Sequence, residues 1–99
     1  MIIIAGTIEL DPEQRAAALE AGRPFIDGAL TQAGCRAYSW APDPVMPSRV
    51  WVYELWDSEA SLAAHFKDHH YADMGANIGR HGMTGSEISK FRVDLEEAV

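Results

Sequence analysis

Residues 2–10 alternate apolar groups on both faces: Ile2, Ile4, Ile8 and Leu10 fall on one side, Ile3, Ala5, Thr7 and Glu9 on the other. This β-branched run predicts a strand with the first set facing the core. Asp11, Pro12 and Gln14 then stand where an N-cap, a first helical residue and a capping-box partner belong. Leu19, Phe25, Ile26, Leu30 and Ala33 continue at helical spacing. Gly22 and Pro24 predict a kink or fray within that helix, and Gly34 its left-handed terminator. Residues 35–41 alternate as a second strand, and "PDPVMP" is a loop.

The clearest strand is 49–56, "RVWVYELW". Trp51, Tyr53 and Leu55 share one face; Val50, Val52, Glu54 and Trp56 share the other. Bulky groups on both faces predict a strand covered on both sides. Asp57 or Ser58 caps a helix over 58–67, a further helix covers 69–80, "GMTG" is a loop, and 86–93 is the last strand. The order β-α-β-β-α-β is the ferredoxin-like, split βαβ pattern, an α+β fold with an antiparallel sheet and its helices on one face. The other sheet face would carry large apolar groups, so a partner is expected there, most economically a second copy packed sheet to sheet.

The chain of 99 residues fits one domain, 1–99. A net charge of -7 with eight scattered basic residues argues against nucleic-acid and anionic-membrane partners. The opening "MIIIAG" lacks the basic flank and the length of a signal peptide or membrane span, so a cytoplasmic protein is expected. Cys35 is the only cysteine and reads as a buried, inert thiol. No phosphate-binding loop, dinucleotide fingerprint or nucleophile elbow is present.

The stretch "YELWDSEASLAAHF", the "DPEQR" and "RPFIDGAL" segments of the first helix and the following "DHHY" resemble the antibiotic biosynthesis monooxygenase family of dimeric α+β barrels. The resemblance implies a homodimer with a pocket between the helices and the open sheet face. It also implies, for some members, oxygenation of quinols, polyphenols or anthrone-like compounds by dioxygen without metal or flavin. A related branch degrades haem with an Asn, a Trp and a His; by register those positions are Thr7, His65 and Gly75 here, so the axial ligand is missing. The comparison also places Thr7 and His65 toward the pocket.

His65 is the candidate catalytic base, because imidazole titrates near neutrality. A packed histidine at a helix end explains the same residue. His65 and His69, at i and i+4, share a helix face, but the run between them lacks a zinc-protease Glu, so no metal is expected. Thr7, Tyr53, Glu54, Trp56, Phe66 and His70 are the candidate substrate-binding residues. Glu54 among apolar neighbours needs a partner or its pKa rises. Three readings stay open: a cofactor-independent monooxygenase, a non-catalytic ligand-binding barrel, and an isomerase or cyclase.

Overall fold

A computed structural model describes residues 1–99. Four strands and three helices follow one another as β1 (Ile2–Glu9), α1 (Arg15–Leu30), β2 (Cys35–Pro42), β3 (Arg49–Trp56), α2 (Glu59–Phe66), α3 (His69–Arg80) and β4 (Gly85–Arg92). The sheet order is β2-β3-β1-β4, with every neighbouring pair antiparallel. This is the expected ferredoxin-like α+β fold, with the second helix divided in two.

The alternation in β1 sets the layers. Ile2, Ile4 and Ile8 are buried under the helices beside Val50, Val52 and Trp56 of β3. One core cluster joins Ile2, Ile4, Tyr38 and Trp56 to Ala29 and Leu62; the other joins Ile8, Leu10 and Val50 to Ala18, Met74 and Ile78. Small residues on α1 let α3 approach: a Cβ on Gly22 would lie 2.8 Å from the Met74 side chain, and one on Gly28 would meet the His70 ring.

Three local expectations need correction. Asp11 does not cap α1: its carboxylate takes the Glu13 N–H and the Gln14 amide, building a turn that delays the helix to Arg15. Pro24 does not interrupt α1, which is one continuous helix over residues 15–30; nine residues of helix precede the proline, and flanking packing holds both halves. Gly34 has φ +81°, as a left-handed residue should, but it stands four residues past the end of α1. There its carbonyl accepts the Asp57 N–H and fixes the start of β2 against the end of β3.

The break between α2 and α3 matters most for the site. Ser58 caps α2 by accepting the Ser61 N–H, and Asp68 caps α3 by accepting the His70 N–H. A second N-cap only two residues beyond Phe66 ends one helix and starts another in a new direction. That turn carries α3 across the sheet toward β1 and β4.

The far face of the sheet is bare in the single chain. Trp51 and Tyr53 are 48% and 41% exposed, and Phe91 of β4 is exposed on the same face, across β1 from β3. β3 is therefore covered on one side only within one copy. No helix is long and apolar enough to cross a membrane.

Candidate functional site

The split of the second helix leaves a gap between α3 and the sheet, and the gap is a cavity of about 540 Å³. That volume is within the range of small-molecule sites. Its floor is Ile4 and Ile8 of β1, Val52 and Glu54 of β3, and Tyr38 and Trp40 of β2. Its roof is Phe66 at the end of α2 with Tyr71, Met74, Gly75 and Ile78 of α3. Ile88 and Lys90 of β4 border its open side.

Glu54 is the one acidic residue among these walls. It belongs to the buried face of β3, so the strand period itself turns a carboxyl toward the cavity. The residue is 6% exposed and no cation pairs with it. Trp56, two residues on and on the same face, donates its indole N–H to Oε1 at 3.0 Å. Burial pushes the Glu54 pKa up to about 7, against a smaller lowering by the Trp56 bond. A carboxyl poised there accepts or returns a proton at neutral pH.

His65 is one layer behind. It is 1% exposed and does not line the cavity. Its ring lies 4.7 Å from the Trp56 ring and 5.5 Å from those of Tyr38 and Tyr71, two residues that do line it. Nδ1 is 2.7 Å from Gln32 Oε1, and Nε2 is buried without a partner. Burial lowers its pKa, which keeps the imidazole neutral. The arrangement is that of an aromatic prop: His65 supports Trp56, and Trp56 holds Glu54.

The other expected site residues divide sharply. Glu54 and Phe66 face the cavity, and Trp56 touches it through Glu54. Thr7 and Tyr53 project from the opposite face of the sheet, as the registers Thr7↔Trp51 and Ala5↔Tyr53 require, and neither lines the cavity. His70 packs against Gly28 with Nδ1 2.6 Å from Asp68 Oδ1, also outside the cavity. Asp68, His69 and His70 bring ligand-type atoms within 4.8 Å of one another, yet each ring already has a carboxylate partner, His69 with Asp73 and His70 with Asp68. Gly75 lines the cavity and offers no side-chain donor atom to haem iron.

Tyr38, Tyr71 and Lys90 complete the walls; Tyr71 closes the "DHHY" motif, whereas no motif marked Lys90. Burial and the neighbouring Glu54 raise the Tyr38 pKa, so its phenol stays protonated and can donate. For α3 a signal was available: Tyr71, Met74, Gly75 and Ile78 recur at i, i+3, i+4 and i+7, one face of a helix. Lys90 sits on the same face of β4 as Ile88.

The family model of the antibiotic biosynthesis monooxygenases matches residues 1–77. The chain belongs to that family. The match takes in β1 to most of α3, hence nearly all of the cavity's floor and roof but not β4. Among solved structures, a proposed antibiotic biosynthesis monooxygenase of Deinococcus radiodurans superposes with a TM-score of 0.89 at 17% identity, over 100% of this chain and 98% of that one. One of Nitrosomonas europaea gives 0.85 at 16% identity, over 96% and 100%. A conserved protein of unknown function from Bacteroides thetaiotaomicron gives 0.81 at 24% identity, over 91% and 94%. At these identities the likeness carries the fold. An uncharacterized protein of Synechocystis sp. is 27% identical over 66 residues, 67% of this chain, and that match spans only 45% of the relative's length. Membership in the antibiotic biosynthesis monooxygenase family supports a monooxygenase-like function at the level of the family.

Proposed function

We propose that this chain is a monooxygenase of small electron-rich aromatic compounds, quinols, polyphenols or anthrones, in which Glu54 rather than His65 accepts the substrate's proton. The observation that carries the reading is a buried carboxyl with a pKa of about 7, aimed into a mainly apolar cavity. An ionised phenol or enol is a far better electron donor to dioxygen than its neutral form. Glu54 takes that proton, Tyr38 and Tyr71 stack and hydrogen-bond the ring, and Met74 and Ile78 exclude water.

The chemistry balances without an added reductant. An anthrone-type methylene becomes a carbonyl, one oxygen atom of dioxygen entering carbon and the other leaving as water with the two methylene hydrogens. In a phenol a ring C–H becomes the second carbonyl of a quinone, and the water takes the ring hydrogen and the hydroxyl hydrogen. Both electron pairs come from the substrate. No flavin or metal is therefore required by this reading.

A homodimer belongs to the same proposal. Trp51, Tyr53 and Phe91 make an apolar face that a second copy of the same sheet would cover, sheet against sheet. Thr7 and Tyr53 then serve the interface rather than the substrate.

Oxygen uptake on a panel of quinols and anthrones, with Glu54→Gln alongside, tests the reading. Uptake by the parent protein should fall by about two to four orders of magnitude in the variant, the usual contribution of a positioned base. Uptake by neither protein, or equal uptake by both, would remove it.

A further inference from the structure

One carboxylic acid residue and one lysine line the cavity, and the sheet places them in a single row. Glu54 on β3 and Lys90 on β4 both pair with Ile4 of β1. Two strand spacings lie between them, about 10 Å from backbone to backbone. Ile4 fills the middle of that row, with Val52 and Ile88 beside it, so the span between the two charges is apolar. Lys90 is the only basic residue on the cavity wall.

The Lys90 ammonium is not locked elsewhere. Nζ lies 3.3 Å from Glu59 Oε1, and both side chains of that pair are about half exposed. An exposed pair of this kind is worth at most about 1 kcal/mol, so a ligand anion reaching Nζ from the drier side displaces it readily. Arg92 Nη2 also stands 3.9 Å from Glu59 and can hold that carboxylate once Lys90 turns inward. A single ammonium, with no guanidinium fork and no free helix N-terminus on the wall, suits a monoanion better than a phosphate.

We propose, on the footing of the oxygenase reading above, that Lys90 is an anion subsite and that the substrate is a phenolic aromatic acid of about two fused rings. Its hydroxyl meets Glu54 and its carboxylate meets Lys90 Nζ. The two contacts set which edge of the ring system faces the base, which makes Lys90 a specificity-determining residue.

The test is binding without turnover. Calorimetry under anaerobic conditions compares a hydroxynaphthoate, its two groups on opposite rings, with the methyl ester of the same compound. The parent protein should bind the acid about tenfold more tightly than the ester, the value of one charge-assisted hydrogen bond. Lys90→Met should erase that preference while leaving ester binding and the melting temperature unchanged. Lys90→Arg should keep the preference, and Glu59→Gln should tighten the acid a few-fold with no effect on the ester. Equal affinity of the parent protein for acid and ester, failure to bind either, or equal weakening of both by Lys90→Met would overturn the proposal. A preference for the acid in a protein that consumes no oxygen would remove the oxygenase reading alone; turnover with no preference would remove the subsite alone.

Discussion

The indole of Trp56 donates to Glu54 from two residues along the same strand face, Nε1 to Oε1 at 3.0 Å. This bond is the only one that stabilises the ionised carboxyl against its burial. It links the last core residue of β3 to the one acid of the cavity. Trp56→Phe retains the ring and its stack on His65 but removes the donor. The Glu54 pKa should then rise beyond about 7, and the acid limb of the pH–rate profile should move up by about one pH unit. Steady-state rates across pH check this. An unchanged limb with a reduced maximum rate would mean that the indole only fills space.

Glu54 also makes stability depend on pH. Its pKa goes from 4.5 in the unfolded chain to about 7 in the fold. A raised folded-state value means that Glu54 favours folding fully below pH 4.5, and that this contribution is lost as pH rises through 7. Glu54→Gln, uncharged at all pH values, should therefore match the parent near pH 4 and gain on it to about 3 kcal/mol by pH 8. Denaturant melts of both proteins across that range give the difference directly. A constant difference would show that Glu54 titrates normally and is not the poised base.

The layers of this fold were legible because they follow from period-two alternation and local capping. The buried faces of β1 and β3, the Ser58 cap and the helix pair all read directly from residue order. The site was less legible, and His65 shows why. Its position at a helix end, next to Phe66, is a local fact. Whether its ring reaches a cavity depends on how α3 turns after Asp68 and on Tyr38 and Tyr71, residues far apart in the chain, standing in front of it. Glu54 could be placed on the buried strand face, but whether an arginine would neutralise it depended on packing. Arg49 in fact pairs with Glu9, and Arg36 with Asp57 and Glu96. Thr7 shows a different failure: strand period put it on the other face from Ile4 and Ile8, where the pocket was expected, while the cavity lies on the helix side of the sheet.

His65 should behave as a prop. Replacement by Phe keeps an aromatic ring against Trp56 and removes the unpartnered Nε2 but also the bond to Gln32, so activity should persist within a few-fold and stability should fall by only about 1 kcal/mol. His65→Ala opens a cavity behind Trp56 and should cost about 2–4 kcal/mol, in line with other large-to-small core changes. Parallel melts and oxygen-uptake rates separate the two outcomes. A stable His65→Phe protein without activity would restore the histidine as the base.

Gly75 controls the room under the roof of α3. A Cβ there would meet nothing within 4 Å, although the position lines the cavity. Gly75→Ala should raise stability by about 0.5–1 kcal/mol through helix propensity alone and leave ligand affinity nearly unchanged. Gly75→Phe should project a ring into the cavity and weaken binding of two-ring ligands at least tenfold, with little change in melting temperature. Equal binding by the parent and Gly75→Phe proteins would place the ligand elsewhere.

Association should depend on the bare sheet face. Tyr53 is at its centre, next to Ala5 of β1 and Ser39 of β2, with Trp51 two residues away on the same side. Trp51 is partly tethered, since its Nε1 donates to Asp43 Oδ2 at 2.6 Å, so Tyr53 is the cleaner probe. Tyr53→Glu places a charge where a second sheet would dock and leaves the helix-side core untouched, because the two faces share no side chains. Buried without a partner, that carboxylate would cost several kcal/mol for each copy. Sedimentation equilibrium should therefore find a dimer for the parent protein and a folded monomer for the variant, with unchanged far-ultraviolet circular dichroism. A monomeric parent protein would refute the interface. A variant that stays dimeric would move the contact to another surface, with the edge strands β2 and β4 the next to be substituted.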